Sequence, residues 1–207
     1  MTNAAPDRDD IAWMRQLAEE GGRTPMRGAS ILLAAGLIFG LASLAHWAVL
    51  SELTPWDAEA FNLVWGLATV LFLIVLTAVN LTLRKAEGVT TIANRATGVA
   101  WMSVGLGIFA LMTSIVVLAV RAGGEAGLIA LSLIPSVIMV FYGLGWSVTA
   151  AMQRSRPLGL LAGASLIAAP AVAALTGQAE QYLAYGAALF LLMALPGALL
   201  MRQAGRV

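Results

Sequence analysis

Long apolar stretches alternate with short polar segments along almost the whole chain. Six of these stretches contain no Asp, Glu, Lys or Arg. A helix rises about 1.5 Å per residue, so about 20 apolar residues cross a hydrocarbon core roughly 30 Å thick. We therefore predict six membrane-spanning helices, over residues 29–50, 61–83, 98–120, 127–152, 158–176 and 182–201.

This pattern predicts an all-α fold, a polytopic membrane bundle whose six transmembrane helices form three hairpins. The connections between the helices are too short for another folded unit. We therefore interpret residues 29–207 as one transmembrane domain and residues 1–28 as a cytoplasmic tail.

The tail contains a second kind of pattern. Residues 7–20 have the 3.6-residue period of an amphipathic helix, with Ile11, Trp13, Met14 and Leu17 on the apolar face. The polar face has more acids than bases, whereas helices that lie on anionic lipid are rich in Lys and Arg. We expect the apolar face to dock on protein, either on this protein's own loops or on a cytoplasmic or membrane protein partner. Docking on lipid is the third alternative.

The charged residues indicate the orientation of the spans. The tail, the segment 84–97, the segment 153–157 and the end of the chain carry eleven of the twelve Arg and Lys residues, whereas the opposite side has only Arg121 beside several acids. By the positive-inside rule, both termini are cytoplasmic. Arg far outnumbers Lys and Ala is abundant, which is typical of a GC-rich bacterial genome, so we predict a bacterial inner-membrane protein.

Aromatic residues near the ends of the spans fit the same orientation. Trp47, Trp56, Tyr182 and Tyr185 fall near the outer boundary, and Trp101 and Trp146 fall near the inner one. This is the placement of aromatic belts at the two membrane–water interfaces.

Composition excludes several kinds of chemistry. Cysteine is absent, which excludes disulfides, thiolate metal sites and thiol nucleophiles. No basic patch stands clear of acids, so we expect no nucleic-acid partner. His46 is the only histidine, and the predicted spans contain no carboxylate that would complete a metal site with it. We interpret it as a neutral, hydrogen-bonded side chain; a ligand or a pH sensor is the alternative.

The second span has a polar stripe. Asn62, Thr69, Thr77 and Asn80, together with Gly66, fall near one helical face, with Leu73 between them. Polar side chains in lipid find partners on neighbouring helices. A helix-packing face is the simpler interpretation, and the lining of a path for a neutral solute is the other.

Small residues and prolines indicate how the helices pack. The spacing of Gly36 with Gly40, and of Gly159 with Gly163, allows helices to approach closely. Pro135, Pro170 and Pro196 lie inside the last three spans and each leaves one carbonyl, on Leu131, Leu166 or Leu192, without its usual donor. We expect irregular packing there, with hinges as the alternative.

Several short strings along the chain resemble a group of small bacterial multi-pass membrane proteins with no known activity. These strings begin with Asp9-Asp10-Ile11 in the tail, continue with Tyr142-Gly143 and Gly145-Trp146, and end with Glu180-Gln181-Tyr182-Leu183 and Pro196-Gly197. The resemblance implies an inner-membrane location, and it implies no mechanism, so it assigns no functional residues.

No nucleotide-binding loop, nucleophile elbow or paired carboxylates occur in the sequence. We therefore predict no catalytic residues, no cofactor and no metal. The leading hypothesis is a non-enzymatic accessory or regulatory subunit that acts through protein contacts in the lipid bilayer, and the sequence also allows a homo-oligomer. The alternative is a small carrier or channel for a neutral or apolar solute. A membrane enzyme comes third, with His46 its only distinctive candidate.

Overall fold

The structure, a computed structural model, describes residues 26–57, 60–83 and 92–204. These residues form helices and no strands. Six helical spans are long and apolar enough to cross a membrane, which confirms the all-α polytopic bundle. The elements are α1 (Met26–Leu50), α2 (Ala60–Leu83), α3 (Ile92–Ala122), α4 (Gly124–Ser132), α5 (Ile134–Gln153), α6 (Arg156–Ala173), α7 (Glu180–Leu189), a π-helical turn (Phe190–Ala194) and α8 (Leu195–Ala204).

The fourth span is interrupted at Leu133, between α4 and α5. Pro135 stands in the first turn of α5, where its missing N–H costs little because the first amides of a helix have no partner within it. The interruption leaves the carbonyl of Ser132 accessible to the last span, and Gln181 Nε2 donates a hydrogen bond to it over 2.7 Å. Gln181 is only 1% exposed. The buried side-chain amide of Gln181 therefore connects α7 to the interruption of the fourth span.

The sixth span has an irregular turn of its own. Residues Phe190–Ala194 are π-helical, directly before Pro196. Proline cannot donate to the carbonyl four residues earlier, which belongs to Leu192. The indole Nε1 of Trp146, on α5, donates to that carbonyl over 3.0 Å. A side chain from another span thus replaces the missing backbone donor.

The spans pack in an order that differs from their order in the chain. α1 lies between α2 and the last span, and it contacts α7, the π-helical turn and α8 along its length. α5 packs along α6 and also against α3. The interior is filled by large side chains that are completely or almost completely buried: Trp146, Met139, Leu189 and Met193.

The second and third spans are peripheral. In the most apolar window of each, 6% and 11% of the residues are buried within the protein, against 39%, 39% and 44% in the first, fourth and sixth spans. α2 and α3 therefore present most of their surface outward, and the protein is a packed centre with two exposed helices.

Candidate functional site

The polar stripe of α2, defined as Asn62, Gly66, Thr69, Leu73, Thr77 and Asn80, lies on an exposed face of that helix. Its members are exposed except Asn80, which is half-buried and has a contact of its own. A Cβ added at Gly66 would meet no atom within 4 Å. The structure therefore brings Asn62, Thr69 and Thr77 to one outward-facing surface, with Asn80 half-buried near its end.

The two threonines of the stripe satisfy their own donors. Thr69 Oγ1 donates to the carbonyl of Trp65, and Thr77 Oγ1 donates to that of Leu73, each over 2.8 Å. These are bonds to the carbonyl four residues earlier, the usual solution for a hydroxyl in an apolar helix. A hydroxyl oxygen that donates still has lone pairs. Both threonines can accept a further hydrogen bond from a neighbouring molecule.

A different face of α2 attaches the helix to the bundle. The rings of Phe61, Trp65 and Phe72 contact rings on α1, and Ala68 is the buried residue between them. The spacing of these four positions, alternately four and three residues, is that of helices packed at a small crossing angle. The stripe lies about 110° around the helix from this seam, at about 100° per residue. The attachment of α2 thus leaves the stripe uncovered.

A shallow groove runs beside the stripe on the same helix. It is lined by Val70, Leu73, Ile74, Thr77, Ala78 and Leu81. Thr77 and Ala78 are small, so the larger side chains around them form its rim. The groove opens outward.

His46 forms an aromatic cluster near the end of α1. Its ring lies between those of Phe61, with centroids 4.0 Å apart, and Tyr182, with centroids 3.6 Å apart, and both pairs are nearly parallel. The indole Nε1 of Trp65 donates to Nδ1 of His46 over 2.8 Å. The cluster therefore joins three spans through one side chain.

The direction of that hydrogen bond fixes the chemical state of His46. An indole nitrogen only donates, so Nδ1 must be the unprotonated acceptor and the ring is neutral with its proton on Nε2. Nδ1 is thereby unavailable to a metal. Within the part of the chain that the structure describes, no group of three or more His, Cys, Asp or Glu side chains is placed to hold a metal ion.

The two glycine pairs have different surroundings. A Cβ at Gly36 would overlap the backbone nitrogen of Ala194, and one at Gly40 would lie 2.9 Å from the ring of Phe190. At Gly159 and Gly163 a Cβ would meet nothing within 4 Å. The first pair marks the closest contact between α1 and the last span. The second pair takes no part in a close helix contact among the described residues.

Trp146 does not belong to an aromatic belt. It is fully buried in the protein and meets Trp101 edge-on, with centroids 5.1 Å apart. Trp101 Nε1 in turn donates to Thr149 Oγ1 over 3.0 Å. The belt assignment of Trp146 was wrong because its indole N–H has a partner inside the bundle, the carbonyl of Leu192.

Sequence reasoning missed the partners that hold the spans together. Trp65 was not singled out, Gln181 was named only within a resemblance, and Tyr182 was interpreted as a belt residue, although each binds a residue of another span. The predicted docking face, Ile11, Trp13, Met14 and Leu17, lies outside the described residues.

Comparison of the chain with protein families, with curated proteins and with solved structures found no match.

Proposed function

We propose that this protein is a non-enzymatic multi-pass protein of the bacterial inner membrane that acts as an accessory or regulatory subunit. It does so through protein contacts within the bilayer, and the polar stripe of α2 is its contact surface. One observation carries the proposal: the span with the least burial in its own chain has an amide, two hydroxyls and a glycine along an exposed face.

The energetics of a helix in lipid support this interpretation. Hydrocarbon offers no hydrogen bonds, so the amide of Asn62 and the lone pairs of the threonines are best satisfied by another helix. Each interhelical hydrogen bond in a membrane is worth about 0.6 kcal/mol on average. Gly66 allows the second backbone to approach closely. On a surface that faces lipid tails, these residues would contribute neither an interhelical hydrogen bond nor a close helix contact.

A photo-reactive amino acid at one of two leucines tests the proposal in native membranes. Leu73 lies in the stripe and Leu71 lies about 160° away around the helix. The two side chains have the same size, nearly the same depth and similar exposure, 53% and 50%. Illumination is expected to attach protein at position 73 and lipid at position 71. Lipid adducts alone at both positions would contradict the proposal.

The orientation is part of the proposal, with both termini cytoplasmic as the basic segments indicate. Since the chain has no cysteine, a single introduced thiol reports its side without background. A membrane-impermeant maleimide is expected to label Leu53→Cys in intact cells, and Gln203→Cys only after lysis. Both residues are exposed. The reverse pattern of labelling would invert the orientation.

The tail offers a second contact under the same proposal. Its residues 7–20 carry the apolar face described above, on the cytoplasmic side of the proposed orientation. Removing them is expected to release a cytoplasmic partner from a cross-linked complex while leaving the contact at Leu73 intact. An unchanged set of partners would exclude the tail as a contact.

A further inference from the structure

We propose that the polar stripe of α2 binds the same stripe of a second copy of this chain, so that two copies form a parallel, two-fold symmetric dimer. This inference rests on the proposed function, that the stripe contacts protein, and it names the partner.

The chemistry of the stripe is self-complementary. An asparagine amide has both donors and acceptors, so it can pair with an identical amide. The hydroxyl of Thr77 lies one turn from Asn80 and keeps acceptor capacity for an amide of the second copy. The stripe contains no charged residue, so two identical stripes do not repel each other, as two stripes of like charge would.

The bilayer adds a geometric argument. Two copies inserted in the same direction are related by an axis along the membrane normal, and a two-fold interface brings the same patch of each subunit together. Each polar residue then lies at the same depth as its counterpart, Asn62 beside Asn62 and Asn80 beside Asn80. A different partner would need polar groups at four matching depths, whereas a second copy has them by symmetry.

Disulfide cross-linking between two differently tagged full-length copies in native membranes tests the inference. Leu73→Cys is the test variant and Leu71→Cys is the matched control. Mild oxidation is expected to produce several times more dimer joining the two tags from Leu73→Cys than from Leu71→Cys. Equal yields from the two variants would overturn the proposal.

A second set of variants shows whether the stripe itself drives association. Asn62→Leu and Asn80→Leu remove the amides, and Thr77→Val keeps side-chain size and removes the hydroxyl one turn from Asn80. Each lost hydrogen bond is expected to weaken dimerisation roughly threefold, measured by dilution of the tagged pair in lipid. Undiminished association of variants that retain wild-type helicity would overturn the proposal.

The two proposals fail in different ways. Photo-adducts at Leu73 only with a different protein would overturn the dimer and leave the proposed protein contact standing. Adducts with lipid alone would overturn both.

Discussion

At the scale of single residues, Gly36 occupies the tightest contact between α1 and the last span. Gly36→Ala is expected to cost about 1–3 kcal/mol of stability, because the added methyl group overlaps the backbone of Ala194 and not a movable side chain. Gly163→Ala is the matched control, since its methyl group meets open space. There the better helix propensity of Ala is expected to leave stability unchanged or raise it by up to about 1 kcal/mol. Unfolding in mixed micelles measures both, and equal effects would contradict the contact.

His46 gives a second prediction at this scale. As the only histidine, it gives an unambiguous signal in a sample labelled with 15N-histidine. At neutral pH we expect the tautomer protonated on Nε2, with Nδ1 accepting from an indole N–H. Trp65→Phe is expected to remove the hydrogen-bond contribution at Nδ1, while Trp56→Phe, at an exposed indole, leaves it in place. A spectrum of the tautomer protonated on Nδ1 would exclude the arrangement.

Some of these residue roles follow from the sequence. His46 and Trp65 lie at nearly equal distances from the middle of the loop between the first two spans, so the hairpin alone brings them to the same depth. The partner of Trp146 could not be predicted from the sequence. Leu192 is 46 positions away, and nothing in the sequence shows that its span packs beside that of Trp146.

At the scale of elements, the donation from Trp146 to Leu192 can be tested by a double-mutant cycle. Trp146→Phe removes the N–H and leaves a buried carbonyl without its donor, which is expected to cost about 1–3 kcal/mol. Pro196→Ala restores a backbone N–H four residues after Leu192. Trp146→Phe is therefore expected to cost less in the Pro196→Ala background, by about 0.6 kcal/mol or more. Equal costs in the two backgrounds would show that the indole does not replace the missing donor.

The apolar pattern predicted all six spans, because twenty uncharged residues in a row are enough to specify a membrane helix. The ends were less predictable. α3 begins at Ile92, before the uncharged stretch, since a helix continues into polar sequence when nothing terminates it. The prolines indicated irregular helices, but they did not show which irregularity each would produce. The helix is interrupted at Leu133, before Pro135, and it forms a π-helical turn before Pro196. The kind of irregularity depends on which side chains of other spans donate hydrogen bonds to the carbonyls that lack a helical donor.

At the scale of the whole molecule, the order of the helices could not be predicted. Short connections make α1 and α2 neighbours, but only the folded structure shows that α1 also packs along the last span. The exposure of the stripe follows from this order. Since α2 contacts the bundle through Phe61, Trp65 and Phe72, the face with the amides and hydroxyls is left outward.

The central claim is that the stripe joins two copies of the protein, and a distance measured from outside the interface tests it most directly. A spin label at Leu71→Cys lies on nearly the opposite face of α2, so it does not disturb the stripe. In liposomes, pulsed electron paramagnetic resonance is expected to give one narrow distance between copies of roughly 25–30 Å, from helix axes 8–10 Å apart and labels on the outer faces. Replacing Asn62 and Asn80 by Leu is expected to reduce this signal. A distance distribution without a peak, or a peak that the stripe variants leave unchanged, would contradict the account.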